Sequence, residues 1–245
     1  MTRSDNEIRH GQYLASGGAV EIWGWGTPAG KLRAARRAKL IIEAAGLAPG
    51  KRTLEIGCGT GNFTECFVKS GASVLAVDIS ADLLAIANEM KAKNGFSDAQ
   101  VRFLNQRFEE CDVSEPFDAV IGSSVLHHLN CDEAFRKISA LLKPSGRMVF
   151  AEPNMLNPQV FLERHFRSLY PYVSPDETAF VRGTVAKQLA NAGFVNIRVT
   201  PFDWLHPSTP QGLIGFVGGL GALLEKTPGL REFAGSLLIV AEKPA

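Results

Sequence analysis

Cysteine is scarce in this chain of 245 residues, and the four present, Cys58, Cys66, Cys111 and Cys131, stand far apart with no CxxC pair. That spacing excludes a disulfide scaffold and reads as reduced thiols in a cytoplasmic protein, with no metal centre expected. The first residues lack the apolar core of a signal peptide. Long apolar runs are missing too. The longest, Leu213 to Leu224, has twelve residues and several glycines, well short of the roughly 20 that span a bilayer. An excess of one charge is also missing: 26 Lys and Arg stand against 25 Asp and Glu. The resulting +1 gives no general attraction to phosphate backbones, so no nucleic-acid partner is expected.

What is present is ordinary globular material, 45% hydrophobic and 21% charged, enough for one main core. From residue 52 onward, short β-branched runs alternate with capped helical segments, the pattern of a parallel sheet covered by helices. Strands are predicted at 52–56, 73–78, 101–104, 117–122, 147–152, 195–202 and 236–241. Gly71 and Gly95 suit helix ends, and Ser80 is a helix N-cap. Asn130 with Glu133 reads as a capping box for a helix reaching Leu142. Thr27-Pro28 opens a helix to about Ala45, Ser174, Pro175 and Glu177 suit a helix start, and 184–192 is helical. Residues 153–173, rich in aromatics and turn formers, read as an insertion. The whole chain is expected to be one domain: a cap at 1–46, a ligand-binding core at 47–152, a substrate-side insertion at 153–183 and the rest of the sheet at 184–245. The cap, with Tyr13, Trp23 and Trp25, is expected over the carboxyl ends of the strands, where open α/β sheets bind ligands.

The sharpest chemical signal is LEIGCGTGNF at 54–63, a strand running through a glycine-rich turn into a helix. Gly57, Gly59 and Gly61 let backbone approach a ligand, and amides at the helix start can bond its polar groups. Against the dinucleotide pattern GxGxxG, the third glycine falls one residue early, which argues against a pyrophosphate cofactor. Seventeen residues beyond Gly61, Asp78 ends the second strand, placed to accept both hydroxyls of a ribose.

With AVDIS at 76–80, FDAVIGSSVLHHL at 117–129 and LLKPSGRMVFAEPN at 141–154, the chain resembles the class I S-adenosylmethionine-dependent methyltransferases of the small-molecule type. The resemblance implies an α/β, Rossmann-like, doubly wound sheet of seven strands, mostly parallel with the last antiparallel. It further implies that Glu55 and the loop of Gly57, Cys58, Gly59 and Gly61 hold the amino-acid part of S-adenosyl-L-methionine. Asp78 would hold the ribose and Ile79 the adenine, with Ser123 near the methionine portion and S-adenosyl-L-homocysteine as product. Where the family usually has an acidic residue after the third strand, this chain reads Asn105-Gln106-Arg107-Phe108, so Gln106 or Asn105 stands in as an amide acceptor.

His127 and His128 follow strand four and are the candidates for a base that takes a proton from an acceptor hydroxyl or amine; the alternative is that one satisfies a backbone carbonyl. Glu152, Asn154, His165, Tyr170, Tyr172 and Trp23 are candidate contacts to the small-molecule acceptor, against plain packing roles. Lys31, Arg33, Arg36, Arg37 and Lys39 read as a solvated helix face, with anion binding as the alternative. The 213–224 run is expected in the core; the alternative is a wall for a lipid-like acceptor. Two other functions share the loop and the acidic residue: an NAD(P)-dependent oxidoreductase, for which a Tyr-x-x-x-Lys pair is missing, and a non-catalytic module that binds the cofactor to regulate a partner.

Overall fold

The computed structural model describes residues 3–113, 116–170 and 177–245. Its centre is a seven-stranded sheet: β1 (Arg52–Ile56), β2 (Ser73–Asp78), β3 (Val101–Asn105), β4 (Phe117–Ser123), β5 (Leu142–Pro153), β6 (Val195–Phe202) and β7 (Ser236–Glu242), in the order β3-β2-β1-β4-β5-β7-β6. Strands β1 to β5 pair in parallel, and β7 runs antiparallel to both β5 and β6. The order reverses between β1 and β4, so the crevice at their carboxyl ends is the topological switch point.

The helices are α1 (Arg3–Gly17), α2 (Ala19–Ile22), α3 (Pro28–Ala45), α4 (Thr64–Lys69), α5 (Ala81–Asn94), α6 (Cys131–Leu141), α7 (Pro158–His165), α8 (Arg182–Asn191) and α9 (Ile214–Lys226). Their ends follow local chemistry. The Thr27 hydroxyl accepts the Gly30 N–H at the start of α3, Ser80 accepts the Leu83 N–H at the start of α5, and Gly46 and Gly95 close these helices at φ of 67° and 68°. Two apolar clusters pack the sheet. One holds Leu54, Phe117, Phe135 and Phe150; the other, beneath α3 and α4, holds Ile41, Phe67, Val74 and Val149.

Several expectations are corrected. Asn130 precedes α6 without a side-chain capping bond, so no capping box forms through it. The helix expected at 184–192 runs Arg182–Asn191, and Ser174 and Pro175 lie outside the described residues. The aperiodic stretch after β5 holds α7, capped by Asn157, whose side chain accepts the Gln159 and Val160 N–H groups. The 213–224 run is not core. It forms most of α9, where Gly221 is the buried residue while Phe216 and Leu223 stand exposed.

Candidate active site at the carboxyl ends of the strands

A cavity of about 690 Å³ opens over the switch point. Its floor is the loop after β1, Gly57 to Thr60 with Asn62 and Phe63; its sides include Asp78, Ile79 and Gln106 from the second and third strand ends and Ser123, Ser124, His127 and His128 from the fourth. Helix α1 closes one side with Arg3, Glu7, His10, Gly11 and Leu14, and Trp23 and Trp25 close another.

The loop is held open by backbone geometry. Gly57 sits at φ 66° with its N–H on Val77 O, and a Cβ there would lie 2.3 Å from Val125 Cγ2. No residue but glycine fits this turn. Asp78 braces the same loop: Oδ2 accepts the Gly59 N–H at 2.7 Å and Oδ1 the Ser80 N–H at 2.8 Å. A carboxylate offers about four lone-pair sites, so both oxygens retain acceptor capacity toward the cavity. Burial pushes the Asp78 pKa up, against its two backbone bonds.

Below Ser123 and Ser124 lies Arg37, 3% exposed. Its Nη1 donates to the Ser123 and Ser124 hydroxyls at 3.1 and 2.9 Å, and its Nη2 to the Ser236 hydroxyl at 2.5 Å. Its Nε is buried without a hydrogen-bond acceptor. Among the described residues no ion pair forms on this guanidinium, whereas neighbouring Arg33 pairs with Asp203 at 2.8 Å. Burial lowers the Arg37 pKa to about 10, which still leaves it charged at neutral pH. A desolvated cation at the cavity wall, its Nη donors spent on serine hydroxyls, makes the potential there favourable to an anion.

The histidines are held differently. The Glu152 carboxylate, fully buried, accepts the Val125 and Leu126 N–H groups at 2.9 Å each through Oε1, and its Oε2 lies 2.7 Å from His127 Nδ1. Burial raises the Glu152 pKa, but the His127 bond and the two amides outweigh it, and the carboxyl stays below its ordinary range. An ionised carboxylate only accepts, so the proton of the neutral His127 ring sits on Nδ1 and the Nε2 lone pair is left for chemistry. Burial and the adjacent His128 lower the His127 pKa, keeping that ring neutral. For His128, burial pulls the pKa down, but Glu7, 2.9 Å from Nδ1, with Glu177 and Glu152, raises it above the ordinary value.

A model of the methyltransferase domain matches residues 47–192. The chain belongs to the methyltransferase domain family. Ubiquinone biosynthesis O-methyltransferase of Rhodopseudomonas palustris is 35% identical over 122 residues, covering 49% of this chain and 47% of that protein. The protein of the same name from Coxiella burnetii is 28% identical over 197 residues, 74% of this chain and 80% of its own. The match thus spans about half the length of the first relative. Phosphoethanolamine N-methyltransferase 2 of Haemonchus contortus, solved with phosphomonomethylethanolamine and S-adenosylhomocysteine, superposes with a TM-score of 0.70 at 20% identity, over 100% of this chain and 61% of that one. That likeness shows a shared fold.

On this methyltransferase domain the expected residues separate into two groups. Gly57, Cys58, Gly59, Asp78, Ile79, Gln106, Ser123, His127, His128 and Trp23 all line the cavity. Glu55 does not: it is buried behind the loop, where burial raises its pKa to about 8. Gly61 faces α5, a Cβ there lying 2.7 Å from Met90 Cε. Asn105 spends its amide on the Asp78 and Ile79 carbonyls, leaving Gln106 as the cavity residue.

The substrate contacts fare worse. Glu152 supports His127 from behind, and Asn154 donates to the Glu232 and Ala234 carbonyls. Both are sealed from the cavity because the strand end carrying them is buried under the segments near Phe180 and Gly235. Tyr170 lies outside the lining, and His165 stacks on Phe161 with ring centroids 3.9 Å apart. Tyr172 lies outside the described residues. Trp23 sits over the loop, 3.3 Å from where a Gly59 Cβ would be, rather than on the insertion side.

Sequence reasoning missed Arg164, named Glu177 only as a helix start, and gave Arg37 only as one of a basic run whose alternative was anion binding. The basic run gave no sign that Arg37 points inward, since helical spacing assigns it no face until α3 is docked; Ala38 and Ile41, buried beside it, are the signal that was available. Arg164 on α7 holds Glu177 at 2.8 Å, and Glu177 Oε2 lies 3.9 Å from His127 Nε2. His127, His128 and Glu177 bring ligand atoms within 4.8 Å of one another, close enough for one cation; here Arg164 provides the positive charge at Glu177.

Proposed function

We propose that the chain transfers the methyl group of S-adenosylmethionine to a hydroxyl group of a small molecule, with His127 as the base. The observation that carries this reading is a single cavity joining the glycine loop and Asp78 to a histidine whose Nδ1 is fixed by a buried carboxylate.

The residues fit the cofactor. Asp78 would take the ribose hydroxyls and Gln106 and Ile79 the adenine, while the Gly57–Gly59 turn would present backbone to the ligand at the cavity floor. Arg37, whose charge lies behind the Ser123 and Ser124 hydroxyls at the cavity wall, suits the carboxylate of the methionine portion. When bound, S-adenosylmethionine supplies a methyl group already activated by a sulfonium. The protein's work is then placement and proton removal. Holding acceptor and donor in line is worth about 7–11 kcal/mol at best, and a positioned base adds about 10²–10⁴ in rate. Nε2 of His127 receives the hydroxyl proton, and Glu152 stabilises the resulting imidazolium. Oxygen is favoured over nitrogen because the curated relatives are named O-methyltransferases and because a hydroxyl needs its proton removed at the moment of transfer. Free thiols at all four cysteines are in keeping with a cytoplasmic setting.

The test is a transfer assay with labelled S-adenosylmethionine and a panel of phenolic and amine acceptors. Labelled product from a phenolic acceptor, with kcat lowered about 10²–10⁴ in His127→Asn at unchanged S-adenosylhomocysteine affinity, is expected. Turnover unaffected by His127→Asn would remove the base from the mechanism.

A further inference from the structure

Helix α9 is apolar along nearly its whole length, and a helix of that composition is normally buried. Here it is not. Phe216 is 72% exposed, and Leu213, Leu220 and Leu223 join it at spacings that make one outward stripe. The helix is fixed to the body at few points, among them Gly221, packed so closely on Trp204 that a Cβ would lie 2.9 Å from the Trp204 Cβ, and Glu225, bonded to Arg36. Helix α7 repeats the pattern. Its inner side, Val160, Glu163 and Arg164, lines the cavity, while Phe161, Leu162, Phe166 and Leu169 at and beyond its end stand out in solvent.

The two apolar surfaces are tied around one opening. Gln159 on α7 bonds His206 at 2.9 Å, and Asn157 donates to Phe233 O at 2.9 Å in the turn that follows α9. Trp204, Leu205, His206 and Pro207, between them, line the cavity. Exposed apolar side chains therefore flank the cavity-lining segment 204–207 on both sides, where a monomer ordinarily shows scattered ones.

The charge on this rim leans basic, its acids being held by arginines. From 204 to 224 the chain has no Asp, Glu, Lys or Arg; from 154 to 170 the acid is Glu163, half-sequestered against Arg164, while Arg164, Arg167 and His165 are basic. Lys226 ends α9 and Arg231 follows it, and the two acids of this stretch are paired, Glu225 with Arg36 and Glu232 with Arg182 and Arg231. We infer that this face docks on an anionic lipid bilayer, α7 and α9 lying in the interface with the cavity mouth turned toward the lipid, so that an apolar acceptor enters from the membrane. At 13 residues α9 is about 20 Å long, too short to cross a hydrocarbon layer of about 30 Å and suited to lying along its surface. Among the described residues no helix is long and apolar enough to cross. A bilayer explains both the apolar stripe and the pairing of each acid on this face, Glu163, Glu225 and Glu232, with an arginine. The inference concerns the surface and stands whether or not the cavity transfers methyl groups.

The experiment is sedimentation of the full chain with vesicles of phosphatidylcholine alone and of phosphatidylcholine with phosphatidylglycerol, alongside a Phe216→Ser/Leu220→Ser/Leu223→Ser variant, none of whose altered positions lines the cavity. S-adenosylhomocysteine binding and the unfolding midpoint report that the variant is folded. Partition onto the anionic vesicles, weakened more than about tenfold in the variant and reduced by salt, is expected. No partition onto either vesicle overturns the inference. So does partition unchanged in the variant, or a concentration-dependent dimer of the parent chain that the variant abolishes, which would assign the face to a second copy.

Discussion

Glu152 shows how far a residue's role depends on what packs behind it. Its place at the end of β5 marks it as a contact to the acceptor, yet its two oxygens are consumed by two backbone amides and His127. A Glu152→Gln variant replaces the carboxylate by a neutral amide, and the Coulombic support that raises the His127 pKa disappears. The acid limb of the kcat profile should therefore move to lower pH while kcat falls; a lower kcat with an unmoved limb would indicate packing damage alone. Glu55 gives a second prediction. Its pKa is raised by burial from 4.5 to about 8, so the folded state holds a proton that the unfolded chain releases. That contribution is fully present below about pH 4.5 and is lost as pH rises through about 8. Stability of Glu55→Gln relative to the parent should thus increase from pH 5 to pH 8, as chemical denaturation would record, and a flat difference would contradict it. The cofactor-side residues were legible because a glycine turn and a strand-end carboxylate are local features. Arg37, Glu152 and Glu177 were not, because their partners lie 86, 25 and 50 positions away along the chain.

At the level of elements, strands and caps read well because they rest on short-range chemistry. Thr27 caps α3 as its sequence suggests, and Thr27→Ala should cost about 1 kcal/mol in unfolding free energy. Its hydroxyl also donates to Pro207 O at 2.7 Å, so the variant should in addition loosen the 204–208 segment beside the cavity. Helix α7 was illegible, and α1 was expected only as part of a helical cap without bounds: it is rich in polar residues and is held by Leu14, which packs with Leu83 and with Ala19 of α2, a contact no local pattern announces. Gly11 lies against Ser80, where a Cβ would be 2.5 Å from the Oγ, which pins α1 to the start of α5. Deleting residues 1–30 removes this wall together with Trp23, and S-adenosylhomocysteine affinity should fall more than about tenfold. Equal affinity in the truncated chain would show that the amino-terminal helices are no lid. The misplacement of α9 has a different cause: an apolar run signals burial, and sequence does not say whether the burying phase is the chain itself or something outside it.

For the molecule as a whole, the alternation of strands and helices was sufficient to anticipate an α/β sheet, the resemblance carried by the ordered motifs implied seven strands with the last antiparallel, and the pairing of β7 with β5 and β6 matches that expectation. The same architecture is shared at 20% identity with a structure in complex with phosphomonomethylethanolamine and S-adenosylhomocysteine, and a shared fold does not by itself name an acceptor. The central claim is that the switch-point cavity is built for S-adenosylmethionine. Calorimetric titration of the purified chain with S-adenosylhomocysteine, with NADH in parallel and an Asp78→Ala variant as control, tests it most directly. Saturable binding of S-adenosylhomocysteine alone, weakened at least about tenfold in Asp78→Ala, is the predicted result. Preference for NADH, or no binding of S-adenosylhomocysteine, would contradict it.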